Sequence, residues 1–284
     1  MKSGEILRGR FLRPIRFFII GSNGVRSIRT FFHPFFHPFF HLNFSPYKKA
    51  GTPLALSYFI TGTDTDVGKT FAAAALLEAA RQRDLRCFGL KPIAAGVETS
   101  AAGEGNGDAL LLMAHSSVKL SYAQSNPVLL ADPIAPHIAA QREGKNIRVD
   151  RLVGYCRGAL MTPADLVLVE GAGGWRVPLN RNETLADLAK ELQLPVILVV
   201  GMRLGCLNHA LLTAEAIAAD GLPLAGWVAN QIDPAMSCYQ ENLDTLRSLI
   251  RAPLLAEIPY LPGGCVEDAA QAFEQALEHL LHKN

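Results

Sequence analysis

The chain has 284 residues, with 27 Lys or Arg against 26 Asp or Glu and a net charge of +1. That length can bury a substantial core, and the balanced charge argues against a strongly basic nucleic-acid binder. Five cysteines (87, 156, 206, 238, 265) follow no metal-ligand spacing and are odd in number. They suit reduced thiols in a cytosol and exclude a disulfide framework. No apolar run approaches the ~20 residues that span a membrane.

Residues 1–50 stand apart. They carry nine of the basic residues and one acid, Glu5, leaving 18 basic and 25 acidic residues for the rest. RFLRPIRFFIIGS is basic and briefly apolar, and FFHPFFHPFFH is a short repeat whose Pro34 and Pro38 interrupt any helix. Three readings compete: an Arg-rich targeting segment, a metal-binding cluster of His33, His37 and His41, and a disordered tail or mis-called start. We favour the last, because a folded body begins near Leu54 without help from this segment. The expected division is therefore an extension over 1–53 and one domain over 54–284, with residues 1–50 dispensable for activity.

From Leu54 on, apolar runs of strand length alternate with amphipathic stretches of helix length. Strands are predicted at 57–61, 86–90, 165–170, 195–200, 224–229 and 254–258. Helices are predicted at 69–83, 107–115, 149–161, 184–192, 207–220, 236–250 and 267–282. Runs such as VILVV, apolar at every position, are what strands covered on both faces require. The expectation is an α/β fold, a P-loop NTPase-like and mostly parallel sheet with helices on both faces, in a single domain. Ligands in such folds lie beyond the carboxyl ends of the strands.

The first of those ends is SYFITGTDTDVGKT (57–70): an apolar strand, a glycine-bearing loop, and Gly68-Lys69-Thr70 opening a helix. That context fits a phosphate-binding loop for a nucleoside triphosphate. Backbone N–H groups would cradle phosphates, Lys69 would neutralise them, and the Thr70 hydroxyl would reach Mg²⁺. The strict pattern wants glycine at 63, where Thr63 stands, so with Gly62 the loop is one residue longer than the general motif.

Four further loops carry chemistry. Lys91, with Pro92 behind it, ends the second strand and points at the crevice, where a merely solvated lysine is the alternative. Glu170 ends the third, the position from which an acid reaches Mg²⁺ in phosphate-loop enzymes, and Gly171-Ala172-Gly173-Gly174 follow. Asp108 is either a functional acid or an ordinary first-turn residue favourable to a helix dipole, and spacing leaves that open. After the fourth strand, GMRLGCLNH could present free N–H groups to a carboxylate, or Asn208 could be the helix N-cap. Cys206 reads as a bystander thiol, and His137 and His209 as structural.

Taken together, GTDTDVGKT (62–70), KPIAAG (91–96), GD (107–108), NPVLLADPIAPHIAA (126–140), LVEGAGGW (168–175), LPVILVVGMRLGCLNHALLTAEAI (194–217), GWVAN (226–230) and EIPYL (257–261) resemble the dethiobiotin synthetase family of biotin biosynthesis. They run in family order over nearly all of 57–265, and the longer glycine loop is itself part of the family pattern. The resemblance implies a cytoplasmic homodimer that uses ATP, Mg²⁺ and CO₂ to close a ureido ring on 7,8-diaminononanoate. A carbamate would form on one amine, take the γ-phosphoryl group, and lose phosphate to the second amine.

Carried over residue by residue, Lys69 and Lys91 become the catalytic cations, and Thr70, Asp108 and Glu170 the Mg²⁺ ligands. Asp66, Val67, Gly68, Lys69, Thr70 and Phe71 would hold phosphates, with Asp108, Glu170, Gly171, Ala172 and Gly173 beside them. Asn230, Gln231, Pro259, Tyr260, Leu261 and Glu267 would form the adenine pocket. Lys91 and Ala95, with Leu204, Gly205, Cys206 and Asn208 of the neighbouring subunit, would bind the diamine and its distal carboxylate.

Two positions depart from the family: Ala95 replaces a serine that touches substrate, and Gln231 replaces a frequent Asp. Ala95 removes one hydrogen bond of ~1 kcal/mol, and Gln231 bears on base recognition. Three rivals remain: a ParA-like switch ATPase, a cobyrinate- or CTP-type amidoligase, and a paralogue that binds without turnover. Asp64 stands where the switch ATPases carry a second lysine, and only about twenty residues follow 265, too few for a glutaminase domain. Ala95 and Gln231 support the third, and intact Lys69, Lys91, Asp108 and Glu170 oppose it.

Overall fold

The computed structural model describes residues 55–100 and 103–282. The readings made for residues 1–50, with His33, His37 and His41, lie outside the described residues. The first strand, β1 (Leu56–Gly62), runs into the glycine loop and then α1 (Lys69–Gln82). After β2 (Cys87–Leu90) come β3 (Ile93–Ala95) and a two-stranded hairpin, β4 (Glu98–Ser100) with β5 (Gly103–Gly105). Next are α2 (Gly107–Ala114), α3 (Tyr122–Ser125), β6 (Val128–Leu130), α4 (Pro136–Arg142) and α5 (Val149–Leu160). β7 (Leu166–Glu170), α6 (Leu185–Leu192), β8 (Val196–Met202) and α7 (Cys206–Ala219) follow. The chain closes with β9 (Leu224–Gln231), α8 (Tyr239–Leu249), β10 (Leu254–Ile258), α9 (Val266–Ala270) and α10 (Glu274–His282).

All six predicted long strands form, within two residues of their expected ends, and join one parallel sheet in the order β10-β9-β8-β1-β7-β2. The chain moves from β1 outward to β2, returns to β7, then crosses to β8 on the other side of β1. That reversal puts the end of β1, and the glycine loop, at the switch point of the sheet where ligands bind.

The sheet is buried on both faces, as its uninterrupted apolar runs require. Along β1 and β7, Tyr58, Ile60, Leu166 and Leu168 pack toward α1, α9 and α10. Their neighbours Phe59, Val167 and Val169 pack toward α5 and α6. Leu198, Val200 and Met202 of β8 meet Trp227 and Ala229 of β9 beneath α7 and α8. Four consecutive buried alanines, Ala72 to Ala75, let α1 lie close against the sheet. The predicted helix at 267–282 is in fact α9 and α10 joined by a 3₁₀ turn at Gln271–Phe273.

Unpredicted elements are short. β3 pairs with β6 in a separate parallel ribbon, and each is three residues long, too short to display a period. α3 has four residues, and α4 opens on Pro136 at its first position.

Glu78, buried on α1, receives both arms of the Arg81 guanidinium at 2.8 and 2.7 Å and faces His115 Nδ1 at 3.0 Å. The Arg81 fork, aided by His115 and Gln82, holds its carboxyl down at about 2 against burial, which acts the other way. A depressed acid stabilises the fold above its unfolded pKa and loses that contribution as pH falls through its folded value. Glu78→Gln should therefore flatten the acid limb of stability between about pH 4.5 and 2, and cost about 2 to 3 kcal/mol at neutral pH. Urea titrations at pH 2.5, 4.5 and 7 measure it, and an unchanged acid limb would contradict the assignment.

Candidate active site

β1 ends at Gly62, and the loop returns to a helix whose N-cap is Gly68, held left-handed at φ +83°. A side chain there would be strained, and its Cβ would lie 2.1 Å from Asn230 Nδ2. Asn230 itself is buried at the end of β9 and donates that Nδ2 to Val67 O at 3.0 Å. It therefore braces the phosphate loop from below, a role that its place in the expected adenine pocket did not suggest. Ala72 N–H bonds to Gly68 O, and the loop's N–H groups from 66 to 70 have no partner among the described residues. This is the cradle an anion needs at a helix start.

Lys69 is buried and donates its ammonium to Asp64 O at 2.8 Å. Burial lowers its pKa, and the nearby Lys91 charge lowers it further, while Glu170 opposes both. Thr70, next along α1, donates its hydroxyl to Glu170 Oε1 at 2.8 Å.

Lys91 is the centre of the site. Fully buried after β2, its ammonium lies 2.5 Å from Glu170 Oε1, 2.8 Å from Asp108 Oδ2 and 3.1 Å from Gly171 O. Burial would depress its pKa, but Glu170 and Asp108 outweigh it and raise it, so the lysine stays charged. Asp108, half-exposed, shows the converse. Burial would raise its pKa, and Lys91 with smaller help from Thr70 and Lys69 brings it below the usual range. The solvated-lysine alternative for Lys91 is excluded by these contacts, and the first-turn alternative for Asp108 is incomplete: it is in the first turn of α2 and in the cluster.

Residues that sequence reasoning passed over hold this cluster in place. Asn106 caps α2 and donates Nδ2 to Gly96 O at 3.0 Å, tying the Asp108 turn to the loop that carries Ala95. The Asn106 N–H donates to the Tyr122 hydroxyl, which donates to Asn126, whose Nδ2 donates to Lys91 O at 2.6 Å. Each is a polar residue in a short loop or helix with no period of its own, so no local pattern marked it. On the far side, the indole of buried Trp175 donates to Asp220 at 2.7 Å and anchors the glycine turn at 171–174.

One oxygen of fully buried Glu170, Oε2, lacks a hydrogen-bond partner among the described residues. That spare carboxylate oxygen, with the Thr70 hydroxyl bonded to the other Glu170 oxygen and Asp108 joined through Lys91, makes a hard-oxygen donor set that fits Mg²⁺. Two carboxylates and a hydroxyl are too few to close a metal cage, and no group of three acidic, His or Cys side chains assembles among the described residues. Mg²⁺ accepts that, since it keeps water and phosphate oxygens in its shell.

The expected adenine residues divide. Asn230 pairs with Ile258 across β9 and β10, and Gln231 Oε1 accepts from the Tyr260 N–H at 3.3 Å, which brings Gln231 and Pro259–Leu261 together. Glu267 sits apart in the first turn of α9 and accepts from the Cys265 thiol at 3.3 Å. Phe71 is half-buried against the α1 side of the core.

At the β8–α7 junction the helix begins at Cys206 with Gly205 as its N-cap, at φ +95°. The alternative of Asn208 as N-cap is therefore corrected: it is the third helical residue, and the glycine takes the cap because the turn needs a left-handed backbone. Leu204 is 92 % exposed, and Cys206 is buried, which raises its thiol pKa and leaves it unreactive. A cavity of about 310 Å³ lined by Lys145, Arg148, Arg151 and Tyr155 contains none of these residues.

A family described as AAA domain matches residues 57–264. An ATP-dependent dethiobiotin synthetase BioD of Cellvibrio japonicus is 57% identical over 216 residues, covering 76% of this chain and 94% of that protein. The chain belongs to the dethiobiotin synthetase family. The synthetase of Pseudomonas aeruginosa strain UCBPP-PA14 is 55% identical, over 72% of this chain and 90% of its own length. Among solved structures, the MinC:MinD cell division complex of Aquifex aeolicus matches with a TM-score of 0.51 at 14% identity, covering 81% of this chain and 97% of that one. That likeness shows the fold the two chains share. Among the described residues no helix is long and apolar enough to cross a membrane.

Proposed function

We propose that this dethiobiotin synthetase family member closes the ureido ring of dethiobiotin on 7,8-diaminononanoate, using ATP and CO₂. The observation that carries this reading is Lys91, charged and buried between Glu170 and Asp108 and bridged through Glu170 to Thr70 of the phosphate loop. One amine of the substrate adds to CO₂ and loses a proton to give a carbamate. The carbamate oxygen attacks the γ-phosphorus, and ADP leaves. The second amine then attacks the carbonyl carbon of the mixed anhydride, phosphate leaves, and the ring closes with loss of a proton.

Phosphoryl transfer of this kind asks the protein for alignment and charge neutralisation. Lys69 swings from Asp64 O to the phosphates, and the N–H groups of 66–70 hold the oxygens. Lys91 holds the carbamate beside the γ-phosphate. Mg²⁺, when bound, would take oxygens from Thr70, Asp108 and Glu170 and offset charge on the β- and γ-phosphates. Asn230, Gln231 and Pro259 to Leu261 surround the base, with Glu267 at its edge.

The distal carboxylate is held at the start of α7 by Leu204, Gly205, Cys206 and Asn208 of a second subunit. The near-complete exposure of Leu204, a large apolar side chain, supports a homodimer built on that loop. The enzyme works in the cytoplasm, and residues 1–50 are dispensable for turnover.

The test is ADP release by the full chain with ATP, Mg²⁺ and bicarbonate, with and without the diamine. Diamine-dependent release with dethiobiotin detected by mass is the expected result. ATP binding without diamine-dependent release would favour the paralogue that binds without turnover. Ala95→Ser should restore one hydroxyl contact and lower the diamine KM about fivefold, the equivalent of ~1 kcal/mol. An unchanged KM would mean that a backbone N–H already meets that part of the substrate.

A further inference from the structure

The phosphate loop and the β8–α7 loop are joined by a charged contact to which the mechanism above gives no role. Arg203 donates to Asp64 Oδ2 at 2.8 Å, across 139 residues of chain. Asp64 is bound at three points: its Oδ1 accepts from Thr65 N at 2.8 Å, and its main-chain oxygen accepts the Lys69 ammonium at 2.8 Å. Arg203 therefore grips the residue on which Lys69 rests. It also directly precedes Leu204 and Gly205, where α7 begins.

We propose that Arg203 is a positioning residue that couples the nucleotide site to the diamine-carboxylate site through Asp64. The coupling rests on the reading of the α7 start given above. When Lys69 leaves Asp64 O for the phosphates, the Asp64 backbone is freed to adjust, and its carboxylate transmits that adjustment to Arg203 and the α7 cap. Because the carboxylate held at that cap belongs to the diamine in the partner's site, nucleotide in one subunit affects diamine binding in the other. The ion pair is about half exposed, at 43% and 48% for the two side chains. Exposed pairs are weak, so an effect of about twofold to fivefold is the scale to expect.

The experiment is calorimetric titration of a non-hydrolysable ATP analogue with Mg²⁺ into the full chain, with and without the diamine. It is repeated for Arg203→Met, Arg203→Lys, Asp64→Asn and the double variant Arg203→Met with Asp64→Asn. The wild type should bind the analogue about twofold to fivefold more tightly with diamine present, and the diamine should gain equally from the analogue. That ratio should fall to about one in Arg203→Met and Asp64→Asn, stay there in the double variant, and recover in Arg203→Lys. A purely structural contact would lower thermal stability and leave the ratio unchanged. A ratio in Arg203→Met equal to wild type overturns the coupling alone. Wild type that binds the analogue but no diamine overturns the reaction assigned above, and the coupling with it.

Discussion

Lys91→Ala is expected to lower turnover by at least ~100-fold while Mg²⁺-ATP still binds, the scale of losing one preorganised donor to a developing anion. ATP binding should survive because the proposed phosphate cradle, the N–H groups of 66–70 with Lys69 and Thr70, does not include Lys91. Turnover should not, because among the described residues Lys91 alone pairs with both Glu170 and Asp108. The substitution also strands Glu170, buried at 0% exposure, with Thr70 as its remaining donor. Breaking a buried pair typically costs about 3 to 5 kcal/mol, so the variant should melt earlier or take up a proton at Glu170. Nucleotide titration, ADP release and thermal unfolding of the same preparation separate these effects. Near-normal turnover in a folded variant would remove Lys91 from the mechanism.

The pH behaviour of Lys91 has a definite sign. Its folded pKa is raised, so its contribution to stability is complete below the unfolded value of about 10.4 and fades only as pH rises through the folded one. Asp108 is lowered, so its contribution is present above about 3.9 and lost as pH falls through the folded value. Between these limits the pair stays ionised.

Glu170→Gln is the second large effect. The amide keeps the shape but removes the charge, leaving Asp108 as the carboxylate partner of the Lys91 ammonium and taking from Thr70 its bond to a charged Glu170 oxygen. Charge-assisted contacts contribute about 1.5 to 3 kcal/mol, so the Mg²⁺-dependent part of ATP affinity should fall roughly ten- to a hundredfold. Turnover should fall with it. The measurement is ATP affinity with Mg²⁺ and with a chelator in its place, for both proteins. Equal Mg²⁺ dependence in the two would refute a metal role for Glu170.

What local pattern could carry was legible before any coordinates. Apolar runs at every position identified strands covered on both faces, and Gly68-Lys69-Thr70 between a strand and an alanine-rich helix identified the phosphate loop. Lys91 and Glu170 stood out because each polar residue ends a buried strand, where a side chain without purpose would be costly. The family resemblance then supplied roles for Asp108 and for the α7 start that spacing had left open.

What local pattern could not carry was decided by packing. Nothing near β1 in the chain says that β7 and β8 flank it, because pairing is chosen by how helices and crossovers fill both faces of the sheet. The meeting of Lys91 with Glu170, 79 residues apart, follows from that order, as does Asn230 bracing Val67 across 163. Asn106, Tyr122 and Asn126 gain their purpose only when β3, β6 and α2 close around Lys91. Sequence alone determined that this chain builds a parallel sheet ending in a phosphate loop, because burial and period are local properties. Which charges face one another there was decided by the tertiary structure, because electrostatic partners are set by distance in space, and distance along the chain does not record it.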